Sequence, residues 1–124
     1  MALILGVGCR RGCPADELAE LALAVLQEAG CAVEQLTAIA TLDARLETQG
    51  LQEFARRWQL PLWGFPADRL AARSGITAAS PMALQHTGSP SIAEAAALVA
   101  AGSQGRLLVS KRKSAAATAA LAYA

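Results

Sequence analysis

Ile4-Leu5-Gly6-Val7-Gly8-Cys9-Arg10-Arg11-Gly12-Cys13-Pro14 is the stretch on which the fold turns. Residues 2–8 are continuously apolar and bounded by glycine, as expected of a strand covered on both faces. The run then breaks into glycines, two arginines and a proline suited to the first position of a helix. Glycines let backbone N–H groups come close to a ligand, a helix start offers unpaired donors, and arginine forks fit carboxylate or phosphate. The stretch predicts a strand, an anion-binding turn and a helix in succession.

Downstream, Asp16 and Glu17 suit the positive end of that helix and Gly30 suits its stop, while Leu18, Leu21, Ala22, Val25, Leu26 and Ala29 share one face. A second strand is expected near Leu36–Ala40, with Thr41-Leu42-Asp43 leaving it as a polar loop. Leu51, Phe54, Ala55 and Trp58 recur at helical spacing and predict a helix from about Gly50 to Trp58. Pro61–Phe65 reads as a short strand and Pro66 to about Ala72 as a helical turn. The stretch from Arg73 to Gly88 has no strong periodicity and carries the single histidine, His86, so it reads as a functional or mobile loop.

The next helix opens in one of two ways. Ser89 caps it with Pro90 first, or Ser91 and Glu94 form a capping box. Ile92, Ala95, Ala96, Val99 and Ala100 make its buried face, small enough for an unusually close approach to a sheet. Gly102–Gly105 turn the chain into a strand at Leu107–Val109, followed by the basic loop Lys111-Arg112-Lys113-Ser114. Alanine-rich Thr118–Tyr123 is a helix by propensity and an antiparallel strand by the shortness of the turn before it. The strand is the reading adopted. The alternation gives one domain over residues 1–124, a three-layer α/β/α sandwich around a mainly parallel sheet of about five strands, the last antiparallel.

Composition narrows the function. A chain that is 54% apolar and 17% charged can bury a sizeable core. A net charge of +1 argues against a nucleic-acid binder working by bulk charge, so an anion site must come from local clusters such as Arg10-Arg11 and Lys111-Arg112-Lys113. No run is long enough for a membrane span or a signal peptide, and the odd count of cysteines, Cys9, Cys13 and Cys31, suits reduced thiols; a cytoplasmic protein is expected. Cys9-x-x-x-Cys13 has no nearby histidine or second cysteine pair to complete a metal shell, and no metal or cofactor is expected.

In open α/β sheets ligands bind beyond the carboxyl ends of the strands, which here carry Gly8–Gly12, Thr41–Asp43 and Ser110–Lys113. Gly6-x-Gly8-x-x-x-Gly12 is one residue too long for the common dinucleotide fingerprint, and Cys13-Pro14 stands where a phosphate-binding loop needs Lys then Ser or Thr. A tight turn with solvated arginines explains the glycines equally well. Glu94 is an acid/base candidate or a capping partner, and Asp43 with Glu47 is a carboxylate pair or a pair of caps. Lys111 is an anion clamp or a charged turn, His86 a catalytic candidate or, the reading adopted, a solvent-facing side chain, and Trp58 and Trp63 are read as core in preference to stacking platforms. Ser74, Ser80, Ser89 and Ser91 lack a nucleophile-elbow setting.

Taken together, Gly6–Gly12, Ile39–Asp43 with Glu47-x-x-Gly50-Leu51, Gly88–Ala97, and Lys111 before a Thr118-containing final segment resemble the family of CobE proteins and CbiG C-terminal domains, over essentially the whole chain. The length favours the free-standing form. The resemblance implies a role in aerobic cobalamin biosynthesis: binding a polycarboxylate precorrin or corrinoid such as hydrogenobyrinic acid, as carrier or as accessory to other pathway enzymes. The alternative it implies is a hydrolase or isomerase acting on a rim lactone or acetate, with Glu94 or Asp43 as acid/base. The residues expected to bind the ligand are Gly8, Cys9, Arg10, Arg11, Gly12, Thr41, Asp43, Gly88, Ser89, Ser91, Glu94 and Lys111. Arg112 and Lys113 would add cations, and the 73–88 loop would cover the ring.

Overall fold

The computed structural model describes residues 2–74 and 91–124. Strand β1 (Leu3–Cys9) alternates strictly between two layers. Leu3, Leu5, Val7 and Cys9 enter one hydrophobic cluster, whereas Ile4 enters another, with Gly6 and Gly8 on its side of the strand. Helix α1 (Ala15–Ala29) buries Leu18, Leu21, Ala22, Val25 and Leu26 against the first face and ends on Gly30, whose φ of 68° suits glycine. Pro14 is the residue before the helix, not its first, and holds an extended ψ of 153°.

Strand β2 (Ala38–Leu42) runs parallel to β1, and helix α2 (Gln49–Arg57) joins α1 on the same face. Phe54 and Trp58 pack there with ring centroids 4.6 Å apart. Arg57 ties the two helices by donating to Asp16 at 2.8 Å and to Glu53 at 2.9 Å. Strand β3 (Leu62–Phe65) extends the sheet in parallel, and helix α3 (Ala67–Ser74) follows. Trp63, expected in the core, is 38% exposed because β3 is the edge strand.

Helix α4 (Ile92–Ala101) covers the second face. Ser91 is its cap, its hydroxyl accepting from the Glu94 N–H at 3.2 Å. The capping box is only half made, because the Glu94 carboxylate reaches across to the Lys111 N–H instead, at 3.0 Å. The buried residues are Ala93, Ala95, Ala96 and Ala97, so the face is rotated from the expected one to put the smallest side chains nearest the sheet. The need is steric: a β-carbon on Gly6 would lie 1.9 Å from the Ala93 carbonyl oxygen and 2.8 Å from the Ala97 β-carbon.

Strands β4 (Arg106–Lys113) and β5 (Ala117–Tyr123) complete a five-stranded sheet of order β3-β2-β1-β5-β4. Only β5 runs antiparallel, paired with β1 on one side and β4 on the other. The layered mixed sheet and the antiparallel last strand are as the sequence predicts. Two boundaries differ. Thr41 and Leu42 belong to β2, and Lys111-Arg112-Lys113 is strand, held by pairing down to Lys113 opposite Thr118. An edge strand tolerates such charges. The expected 73–88 loop, with Ser80, His86 and Gly88, lies outside the described residues apart from its first two positions, as do Ser89 and Pro90.

The two key glycines should respond differently to alanine. Gly6→Ala forces α4 off the sheet and is expected to cost about 3 kcal/mol, lowering Tm by roughly 10 °C. Gly12 holds a φ of 82° with open space around it, so Gly12→Ala should cost only about 1 kcal/mol of backbone strain. Thermal unfolding followed by far-UV circular dichroism distinguishes the two.

Candidate functional site

Four of the five strands point to one end of the sheet, and the starts of α1, α2 and α4 gather there. Among the described residues, two cavities open at that end. The first, about 350 Å³, lies between the end of β1, the start of α4 and the β4–β5 turn. Gly8, Cys9, Arg10, Ser91 and Lys111 line it, all expected from the sequence. Gly8 matters for room, since a β-carbon there would come within 2.9 Å of the Thr118 hydroxyl. The second, about 590 Å³, lies between the starts of α1 and α2 and takes Arg11 and Gly12. Gly50 lets α2 close on this turn, for its β-carbon would sit 1.9 Å from the Cys13 carbonyl oxygen.

The turn between β4 and β5 forms the outer wall of the first cavity and is held from α1. The Glu17 carboxylate accepts from the Ser114 hydroxyl and from the Ala116 N–H, the latter at 2.6 Å. Those hydrogen bonds, that of Ser114 first, hold the Glu17 carboxyl below its ordinary range. Ala115, Ala116 and Ala117 then give this wall an apolar surface beside Ile92.

The basic segment divides by face. A bulge between Val109 and Arg112 places Arg112 opposite Ala119, on the α1 side, where it donates to both Glu28 carboxylate oxygens at 2.8 and 2.7 Å. Arg112 is therefore not a cation of the cleft, contrary to the sequence reading. Lys111 and Lys113 line the first cavity. No hydrogen bond or ion pair to the side chains of Arg10, Arg11, Lys111 or Lys113 is found among the described residues.

Thr41 is fully buried inside β2, its hydroxyl donating to the Val7 carbonyl at 2.7 Å, so it ties β2 to β1 and does not face the cleft. Asp43 is exposed at the start of a single 3₁₀ turn, Asp43–Arg45, and lines neither cavity, although Glu47 lines the second. The structure thus does not bring Asp43 and Glu47 into one site. Glu94 stands beside the first cavity with its carboxylate engaged by the β4 backbone. Gly88 and Ser89 lie outside the described residues.

Sequence reasoning missed Arg45, which lines both cavities. Its signal was available: it lies three residues beyond the end of β2, where the rule of strand carboxyl ends applies. Arg45 also acts on Cys9. Burial pushes the Cys9 thiol up, opposed by the Arg45 charge and a hydrogen bond with Thr48. Burial, with Glu17 and Cys9 nearby, pushes Cys13 up to about 11. Among the described residues no group of three or more His, Cys, Asp or Glu could hold a metal, and no helix is long and apolar enough to cross a membrane.

Comparison with known proteins gives concordant results. The model of the family described as Cobalamin synthesis G C-terminus matches residues 3–122. Protein CobE of a Sinorhizobium species is 41% identical over 121 residues, spanning 97% of this chain and 79% of that protein. The crystal structure of CobE, a protein from the cobalamin (vitamin B12) biosynthetic pathway, superposes with a TM-score of 0.81 at 35% identity, covering 98% of this chain and 89% of that one. The cobalamin biosynthesis protein chiG from Agrobacterium tumefaciens gives 0.78 at 32% identity, covering 98% of each.

The Cys13 thiol makes a testable link between pH and stability. Because its folded pKa lies above the ordinary 9.0, the stability it adds is complete below about pH 9 and is lost as pH rises to about 11. The stability gap between wild type and Cys13→Ala, from urea unfolding, should be constant up to pH 9 and then narrow by about 2 kcal/mol. At pH 8, iodoacetamide should label the partly exposed Cys31 well before Cys13, as peptide mass spectrometry will show.

Proposed function

The chain belongs to the Cobalamin synthesis G C-terminus family, and from that premise we propose that this cobalamin biosynthesis protein binds a polycarboxylate corrinoid of the hydrogenobyrinic acid type at the carboxyl ends of its strands. The observation that carries the reading is a segregation of charge. With a net charge of only +1, the protein lines one cavity with Arg10, Arg45, Lys111 and Lys113, while Arg57 and Arg112 are neutralised by carboxylates elsewhere.

Corrinoid intermediates present acetate and propionate carboxylates around a broad apolar macrocycle. Ile92 and the alanines of the β4–β5 turn offer an apolar wall, and the arginines and lysines stand around it where they would meet the carboxylates. The Ser91 hydroxyl, which only accepts within the protein, adds a neutral donor. Binding is favoured over catalysis by the state of the two carboxylates. Glu94 already accepts from the Lys111 N–H and serves to fix β4, and Asp43 lies outside both cavities.

Titration of the protein with hydrogenobyrinic acid, followed in the visible spectrum, should show a stoichiometric shift that does not evolve with time. Lys111→Ala and Arg10→Ala should each weaken binding about tenfold, the worth of one partly exposed charge-assisted hydrogen bond, and added salt should weaken it further. Arg112→Ala should bind as wild type does. Turnover of the probe at sub-stoichiometric protein would replace the carrier by an enzyme.

A further inference from the structure

Of the residues lining the two cavities, Arg45 alone belongs to both. The chambers it separates differ in charge. The first has Arg10, Lys111 and Lys113 and no carboxylate in its lining, whereas the second sets Arg11 against Glu47 and Glu53. Glu53 is already held by Arg57 at 2.9 Å. No hydrogen bond or ion pair to the Arg45 guanidinium is found among the described residues.

The backbone that presents Arg45 is fixed. Its 3₁₀ turn closes with the Leu46 N–H on the Asp43 carbonyl at 3.1 Å, and the Arg45 carbonyl accepts from the Thr48 N–H at 3.0 Å. Gly64 of β3 makes room for the turn, since a β-carbon there would lie 3.0 Å from the Asp43 α-carbon and 2.5 Å from Leu46 Cδ1. The half-buried arginine thus stands on the wall between the chambers, with the Cys9 thiol within reach of its charge.

We propose that Arg45 is the specificity-determining residue of the cleft, its guanidinium holding one ligand carboxylate on the wall so that a single polycarboxylate ligand extends into both chambers. The assignment rests on the polycarboxylate reading above and adds to it that two edges of the ligand are read, one by a purely cationic chamber and one by a charge-balanced chamber. A planar fork of five donors can serve acceptors on two sides at once, which an ammonium on a flexible stem does poorly. A ligand whose carboxylates all lie along one edge would leave the second chamber unused.

The test is the affinity for hydrogenobyrinic acid of wild type, Arg45→Ala, Arg45→Gln, Arg45→Lys, Lys111→Ala, Arg11→Ala and the pairwise doubles. Arg45→Ala should lose about 30-fold, with Arg45→Lys restoring only part of the loss. Arg45→Ala combined with Lys111→Ala, or with Arg11→Ala, should lose at least threefold less than the product of the singles, whereas Lys111→Ala with Arg11→Ala should be multiplicative. Arg45→Gln gives the same reading if the alanine variant does not fold. If wild type binds and the Arg45 variants bind within twofold of it, or their losses multiply with both neighbours, Arg45 is not a bridge and the polycarboxylate reading survives alone. Absence of binding by wild type overturns both.

Discussion

The contact between Gly6 of β1 and the Ala93 carbonyl of α4 sets the geometry of everything at the carboxyl end of the parallel strands. Helices ordinarily keep a side chain's breadth from a strand, but here a missing β-carbon and a face of alanines remove that spacer. The start of α4 is thereby brought against Gly8, which puts Ser91 and Ile92 in the cavity wall. From the same helix Glu94 reaches the Lys111 N–H at the β4 bulge and fixes which way the basic segment faces. The cation arrangement thus descends from packing, and Gly6 and Gly8 of the turn that suggests an anion site are required first by sterics.

Much of the architecture was legible because it depends on local patterns. The apolar run of β1, the stop of α1 at Gly30 and the small residues of α4 each follow from residues adjacent in sequence, although Pro14 lies just before α1 and the α4 face is rotated. The antiparallel last strand was legible from the brevity of the turn before it, although alanine propensity pointed to a helix; pairing with β1 and β4 on both sides overrides propensity. The candidate site was legible in part, at Gly8, Cys9, Arg10, Ser91 and Lys111 around one cavity and at Arg11 and Gly12 in the other.

The rest depended on facts no local pattern carries. Adjacent strand residues face opposite sides, and the bulge decides that Arg112 and not Lys111 faces α1; nothing in Lys111-Arg112-Lys113 reveals where an irregularity falls. Thr41 reads as a polar strand exit but is a buried cross-link to Val7, because β2 continues a residue past it. Trp63 reads as core by its composition, and its exposure follows from strand order. Glu94 reads as an acid/base candidate or as a capping partner of Ser91, yet the partner its carboxylate finds is seventeen residues away in sequence.

The interior position of β5 bears on how the protein is made. Pairing Leu3 with Tyr123 joins residues almost a full chain length apart, and β4 touches the rest of the sheet through β5. A nascent chain emerging from the ribosome can form α1 and the β1–β2 pair early. It cannot dock β4, or assemble the wall that carries Lys111 and Lys113, until the segment through Tyr123 has been translated. The wall of the first cavity is therefore assembled after the strands it leans on, by a long-range closure of the kind that makes folding slow.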